Sequence, residues 1–174
     1  MNKLTKEKIS LLKPSATLAI NEETNRLKKS GKKVYKFGFG QSPFPIPENI
    51  ILALKNNANK NKYLPIQGLE ELRSAIATYL NNNNFTADDI LIGPGSKELM
   101  LLAHIAFDGD ILLPAPSWVS YQPQARIADN KVHWIQTSSS SNWFPTSEQI
   151  ENKIKTIKNK NLLLFLNSPN NPSG

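Results

Sequence analysis

The sequence predicts an α/β fold, a mostly parallel sheet flanked by helices, and two observations support this. From Asp89 onward, short apolar runs alternate with segments of helical periodicity. The last run, Leu162–Leu166, is apolar at every position. A strand of this kind is buried on both faces, as in a parallel sheet covered by helices.

The alternation predicts strands and helices in turn over the second half of the chain. The strands expected are Ile90–Ile92, Ile111–Leu113, Val132–Thr137 and Leu162–Leu166. The helices expected are Ser96–Phe107, Ser117–Ala128 (despite Pro123) and Ser147–Lys158.

The first half predicts three helices and one strand. Ser15 can cap a helix that runs to Lys29 and is ended by Ser30 and Gly31. The remaining elements expected are a strand over Val34–Phe39, a helix begun by Pro47 that carries Ile50, Ile51 and Leu54, and an amphipathic helix after Gly68 that carries Leu69, Leu72, Ile76 and Leu80.

Composition excludes several kinds of site. With Cys 0 and His 2 there is no disulfide and no thiolate ligand, so we expect no metal site. The net charge of +7 is spread along the chain without interleaved aromatic residues, so we expect a solvated surface that attracts anions, not a nucleic-acid binder. No apolar run is long enough to span a membrane, and the charged start lacks a secretory pattern, so a cytoplasmic protein is expected.

Ligands of open parallel sheets collect at the carboxyl ends of the strands, where three loops stand out. The turn Gly93–Glu98 enters a helix and would aim backbone N–H groups at an anion such as phosphate, although alone it is more often a plain tight turn. The loop Pro114–Tyr121 carries Trp118, which could stack on a planar ring, pack in the core or form a subunit contact. The loop Asn167–Gly174 holds its asparagines in a rigid turn.

Two further segments of the chain, both before these loops, contain recognisable motifs. Tyr63–Arg73 fits Y-x-x-x-x-G-[LI]-x-E-L-R, and Gly40–Pro47 is similar to G-E-P-x-F-x-x-P. Together with the N-P-x-N-P-[ST]-G-like loop at Asn167–Gly174, the chain from about Ser15 resembles the class I/II aminotransferases, enzymes of fold type I that use pyridoxal 5′-phosphate (PLP). These motifs are separated along the chain and agree with one family, which makes the resemblance specific.

The resemblance implies roles for individual residues. Gly95, Ser96 and Lys97 would hold the cofactor phosphate, chiefly through backbone amides. Trp118 would stack on the pyridine ring, and Asn171 would hydrogen-bond its phenolic oxygen. Gly40 would line the pocket for the substrate carboxylate, which Trp118 and Asn171 also border. Tyr63 would reach the phosphate of the neighbouring subunit in a homodimer.

The same resemblance implies an incomplete large domain. Residues 1–45 would form an N-terminal arm and a small-domain segment, and residues 46–174 the first part of the PLP-binding domain. The Schiff-base lysine would follow Gly174, so no catalytic residue is expected within the chain, and we expect the 174 residues alone to be inactive.

The expected reaction of the intact protein is amino-group transfer between an amino acid and a 2-oxo acid. A PLP lyase or decarboxylase of the same fold, and a non-catalytic PLP-binding or phosphate-binding fragment, stay open as alternatives. Lys97 is expected at a solvated helix start, and both histidines are expected to be structural. Arg73 and Glu70 are expected to form a surface pair worth well under ~1 kcal/mol.

Overall fold

The computed structural model describes residues 4–13, 16–38, 40, 42–81 and 84–174. The chain divides into two compact units, one of residues 1–12 with 93–174 and one of residues 13–92. The domain boundary predicted at residue 45 falls inside the second unit and remains a prediction. Within the described residues, no helix has the length and apolar character needed to cross a bilayer.

The helices and strands alternate in the second half of the chain, as expected. In chain order, the described elements are α1 (Glu7–Ser10), α2 (Ala16–Lys29), α3 (Glu48–Asn57), α4 (Glu70–Tyr79), α5 (Ser96–Ala106), β1 (Asp110–Ala115), α6 (Tyr121–Ile127), β2 (Val132–Gln136), α7 (Ser147–Lys155) and β3 (Leu162–Leu164). Single turns of 3-10 helix lie at Ala87–Asp89 and Ser139–Ser141.

The three strands form one parallel sheet in the order β2-β1-β3. In the central strand, Leu113 pairs with Trp134 of β2, and Leu112 pairs with Leu164 of β3. Ile111, Leu112 and Leu113 are at most 2 % exposed. The parallel sheet predicted from the apolar runs is therefore confirmed.

Successive residues of β1 pack on opposite faces of this sheet, because side chains alternate along a strand. Ile111 and Leu113 contact Tyr121 and Ala125 of α6 on one face. On the other face, Leu112 packs with Ile135 and Ile157. Side chains from neighbouring elements therefore cover both faces of the central strand.

The second unit holds α2, α3, α4 and the Ala87–Asp89 turn. The three predicted helices are confirmed, although the proposed cap Ser15 lies outside the described residues. Gly31 ends its helix with a φ of 81°, a conformation that suits glycine. Thr86 caps the short turn with its side chain and forms a reciprocal capping box with Asp89.

The prediction of a surface pair between Arg73 and Glu70 is wrong. Arg73 is only 7 % exposed, and its Nη1 donates to the carbonyl oxygen of Ala87 at 2.6 Å and to Oε1 of Gln67 at 3.0 Å. Arg73 lies on the side of α4 that packs against the Ala87–Asp89 turn, so its guanidinium donates to a partly buried carbonyl.

Two predicted strands do not form. Residues 34–38 are irregular, with Tyr35 and Phe37 largely exposed, and Phe39 lies outside the described residues. Residues 90–92 are also outside the sheet, and Ile92 makes a backbone hydrogen bond to Gln67 at 2.9 Å. A strand needs a ladder of partners, and branched or aromatic composition alone does not supply one.

The helix predicted over Ser117–Ala128 is shorter, Tyr121–Ile127. Pro123 is its third residue, where the missing N–H would have no intrahelical partner in any case. The residues before Tyr121 form a turn, and this leaves the loop with Trp118 free of the helix.

Candidate functional site

The loops that follow all three strands meet at the carboxyl edge of the sheet. Ser117 follows β1, Trp143 and Phe144 follow β2, and Asn167 and Asn170 follow β3. Side chains of all three loops line one small cavity of about 10 Å³, enough for about one water molecule. Parallel strands bring successive loops to one edge, so this convergence follows from the topology.

The turn before α5 presents unpaired backbone donors. Gly95 precedes the helix with φ 129° and ψ 155°, a conformation essentially restricted to glycine. The N–H groups of Glu98 and Leu99 bond to the carbonyl oxygen of Gly95. The N–H groups of Ser96 and Lys97 have no hydrogen-bond partner among the residues the structure describes. Two exposed donors at the positive end of a helix favour an anion.

Trp118 belongs to a row of aromatic rings that begins in the core. The ring of Trp118 lies 5.5 Å from that of Tyr121 in an edge-to-face contact. Tyr121 contacts Phe165 at 5.3 Å, and Phe165 stacks on His104 at 4.7 Å. These contacts support Trp118 from one side, and its indole remains half-exposed.

Lys97 links the turn before α5 to this row. Its Nζ lies 5.1 Å from the centroid of the Trp118 ring, within the range of a cation–π contact. Its carbonyl oxygen accepts a hydrogen bond of 2.6 Å from Nε2 of the buried Gln124 on α6. The structure therefore brings Lys97 and Trp118 together, and Gln124 fixes the backbone between them.

Asn170 ties the last loop to the Trp118 loop. Its Nδ2 donates to the carbonyl oxygen of Pro116 at 3.3 Å and to Oγ of Ser173 at 2.7 Å. Its backbone oxygen accepts from the N–H of Gly174 at 2.7 Å, which closes the turn. Asn171, the asparagine singled out by the resemblance, is exposed and makes no hydrogen bond to the described residues.

Tyr63 and Gly40 lie in the second unit. Tyr63 is fully exposed. A Cβ built on Gly40 would meet no described atom within 4 Å. Their predicted roles stay predictions.

The sequence analysis assigned Lys97 mainly through its backbone amide and not through its ammonium, and it did not single out Gln124 or, within the predicted loop, Asn170. Each of these groups acts through a contact with a segment distant in sequence, and such a contact leaves no local sequence motif. Trp143 was also missed. Its φ of 57° is unusual for a bulky residue and marks a constrained turn, but this conformation is visible only in the structure.

The acid–base properties of this region are set by burial. Burial raises the pKa of the Tyr121 phenol and lowers the pKa of the His104 imidazole. Both groups are therefore neutral near pH 7. Neither ring nitrogen of His104 has a hydrogen-bond partner in the described structure, which fits the packing role expected for this residue.

The second histidine lies at the opposite edge of the sheet. His133 Nε2 is 2.7 Å from the carboxylate of Asp110, at the start of β1. Hydrogen bonds, first from His133 and then from Asn159, hold the pKa of Asp110 below its ordinary value. Among the described residues, no cluster of His, Cys, Asp and Glu could hold a metal ion.

The chain is similar to known aminotransferases over nearly all of its own length. Residues 32–174 match the family described as aminotransferase class I and II. The aspartate aminotransferase of Bacillus sp. (strain YM-2) is 32% identical over 100% of this chain and 46% of its own length. A bifunctional aspartate aminotransferase and glutamate/aspartate-prephenate aminotransferase of Petunia hybrida is 35% identical over 96% of this chain and 36% of its own length. The chain thus spans less than half the length of these relatives.

Solved structures agree. The aspartate aminotransferase of Rhizobium meliloti superposes with a TM-score of 0.84 at 29% identity, covering 97% of this chain and 43% of that one. The aspartate aminotransferase of Thermus thermophilus with maleate gives 0.84 at 29% identity, over 97% of this chain and 45% of that one. The fold, the converging loops and the match over most of its length show that this chain belongs to the class I and II aminotransferase family.

Proposed function

We propose that this chain forms the cofactor-holding part of an enzyme that transfers an amino group between an amino acid and a 2-oxo acid, with PLP as its cofactor. The observation that carries the proposal is the contact of Lys97 with Trp118 beside the unpaired N–H groups of Ser96 and Lys97. Membership of the family supports it. The names of the relatives favour aspartate as the amino donor.

The residues at this edge suit the parts of PLP. Two free N–H groups and an ammonium group match a phosphate dianion. The half-exposed indole of Trp118 offers a surface for a flat ring. The exposed amide of Asn171 is free to donate a hydrogen bond to a phenolic oxygen.

Each group of the chain would perform a positioning task. When bound, PLP supplies an electron sink for the bond that is broken in the substrate. Ser96 and Lys97 anchor the phosphate, and Trp118 sets the plane of the ring. Asn171 fixes the rotation of the ring within that plane and stabilises negative charge on the phenolic oxygen. Holding these groups in place before reaction reduces the entropy lost on reaching the transition state.

The proposal also includes features carried by the resemblance alone. Gly40 lines the pocket for the substrate carboxylate, and Tyr63 contacts the phosphate across a homodimer in the cytoplasm. We assign no Schiff-base lysine within residues 1–174, so we expect the 174 residues alone to show no turnover with PLP and an amino donor. Turnover by this chain would contradict that part of the proposal.

The test is equilibrium binding of pyridoxine 5′-phosphate. This alcohol keeps the ring, the phenol and the phosphate but cannot condense with surface lysines, as the aldehyde would. We expect saturable binding that is much weaker for pyridoxine, which lacks the phosphate. Trp118→Ala should weaken binding about 2- to 12-fold, the equivalent of about 0.5–1.5 kcal/mol for an aromatic pair.

Trp134→Phe is the control, because Trp134 lies in the middle of β2 and not in one of the loops assigned to the ligand. It should leave the dissociation constant unchanged. Equal affinity of the wild-type chain and Trp118→Ala, or equal affinity for the phosphorylated and unphosphorylated ligands, would overturn the proposed site.

A further inference from the structure

We infer that Asn170 is a positioning residue that holds the Asn171 amide in register with the Trp118 ring. The inference rests on the proposed function, because it assigns a task within that site. It concerns a residue of this loop to which the resemblance gives no role.

The geometry places Asn170 between two loops. Pro116 is two residues before Trp118, and its carbonyl oxygen accepts from Nδ2 of Asn170 across 54 positions of sequence. The same Nδ2 donates to Ser173, and the Asn170 carbonyl accepts from Gly174. One residue thus closes the turn that contains Asn171 and fastens this turn to the Trp118 loop.

The position of Asn170 in the cavity wall supports this role. Asn170 is half-buried and lines the small cavity at the carboxyl edge with Ser117 and Tyr121, whereas Asn171 is exposed. A half-buried amide that forms hydrogen bonds within the protein is typical of a structural role. An exposed amide without a partner is available to contact a ligand. Asn170 would therefore support the loop, and the adjacent Asn171 would contact the ligand.

Asn170 must then act through Asn171, and this has a measurable consequence. Removing the anchor should weaken pyridoxine 5′-phosphate binding about fivefold, the effect of one ordinary net hydrogen bond. Removing Asn171 should have an effect of similar size. With Asn171 already replaced by Ala, Asn170→Ala should cause no further loss, because residues that act as one unit are not additive.

The experiment is a double-mutant cycle on the 174-residue chain with Asn170→Ala, Asn171→Ala and the pair. Binding of pyridoxine 5′-phosphate and of inorganic phosphate is measured, together with the absorbance of the bound 3-hydroxypyridine ring, which reports ionisation of its phenol. We expect both single variants to weaken the ring ligand about fivefold and to shift its spectrum toward the neutral phenol. Phosphate binding should stay unchanged, since Ser96 and Lys97 bind it.

Asn130→Ala is the matched control. Asn130 is also half-buried and donates through Nδ2 to two carbonyl oxygens, those of Phe107 and Gly109, but it lies at the opposite edge of the sheet. It should lose comparable stability and leave both affinities and the spectrum unchanged. If Asn170→Ala fails to fold, Asn170→Asp keeps the shape and removes the donor, and its phosphate affinity reports the effect of the added charge.

The outcomes separate the two proposals. Additive losses in the cycle, or an unshifted spectrum in Asn170→Ala while Asn171→Ala shifts it, would overturn the role of Asn170 and leave the proposed function in place. No binding of pyridoxine 5′-phosphate to the wild-type chain would overturn the proposed function, and the role of Asn170 with it.

Discussion

The ammonium of Lys97 lies over the indole of Trp118, 5.1 Å from the ring centroid. The contact joins the start of α5 to the loop after β1, two segments that would bind different ends of one ligand. A positive charge and an aromatic face at one point favour a ligand that is both anionic and planar.

The charge of Lys97 should contribute to anion binding. Lys97→Met removes the ammonium but keeps most of the stem, and we expect the affinity for inorganic phosphate to fall about 1.4- to 5-fold at low salt, the range for an exposed ion pair. The difference should shrink as salt is added. Calorimetric titration at two salt concentrations measures it.

Two matched variants isolate this effect. Lys97→Arg should retain the affinity, since guanidinium also binds phosphate and stacks on indole. Lys155→Met makes the same change in net charge on α7. A loss in Lys155→Met equal to that in Lys97→Met would show a general charge effect and no local contact.

Gly95 should resist substitution for conformational reasons. With a φ of 129°, alanine at this position would cost about 1–3 kcal/mol even though the added Cβ meets open space. Urea unfolding measures the loss. Gly40→Ala is the comparison, since its Cβ also meets open space and no positive φ applies; similar losses in both variants would rule out a conformational cause.

Arg73 should be important for stability of the second unit. Arg73→Met leaves the carbonyl of Ala87 and the amide oxygen of Gln67 without their donor, which should cost about 1.5–3 kcal/mol. Glu70→Gln, on the exposed side of α4, should change the free energy of unfolding by less than about 0.5 kcal/mol. A loss in Arg73→Met no larger than in Glu70→Gln would contradict the buried role.

His104 should make stability depend on pH. Burial lowers its pKa in the folded protein below the ordinary 6.5, so the unfolded chain binds the proton more readily. Stability is therefore intact above about pH 6.5 and falls as the pH drops toward the folded pKa. His104→Leu should remove this part of the pH dependence.

The measurement is the free energy of unfolding at several pH values between about 7 and 5. Both arms carry His133→Gln, so that His104 is the histidine that differs between them. Parallel pH profiles with and without His104 would show that its burial does not affect titration.

The sheet could be predicted from the sequence because Ile111–Leu113 and Leu162–Leu166 are apolar without interruption, as is typical of strands in a parallel sheet covered by helices. The structure buries the first run completely, whereas the second forms the shorter strand Leu162–Leu164, is partly buried and leaves Leu166 half exposed. The candidate turn Gly93–Glu98 and the Trp118 loop could be found because glycine and proline mark the ends of these elements. The strand expected at Val34–Phe39 failed because pairing depends on partners that local composition does not specify.

Site residues that lie in a recognisable local motif could be predicted from the sequence. Residues that act through a contact with a distant segment could not. The buried position of Arg73 depends on a turn fourteen residues later, and the bond from Asn170 to Pro116 spans much of the sheet domain. Spacing along the chain carries no trace of either contact. Such residues appear only when the fold brings the two partners together.

The central claim is that the turn before α5, the loop after β1 and the loop after β3 together form one binding site for a flat, phosphorylated ring. The most direct measurement is the change in amide and indole N–H chemical shifts of the ¹⁵N-labelled chain on adding pyridoxine 5′-phosphate. We expect Ser96, Lys97, the Trp118 indole and Asn171 to shift together with a single dissociation constant, while His133 at the opposite edge stays unchanged. Shifts at these residues with different dissociation constants, or shifts concentrated at His133 and its neighbours, would contradict the claim.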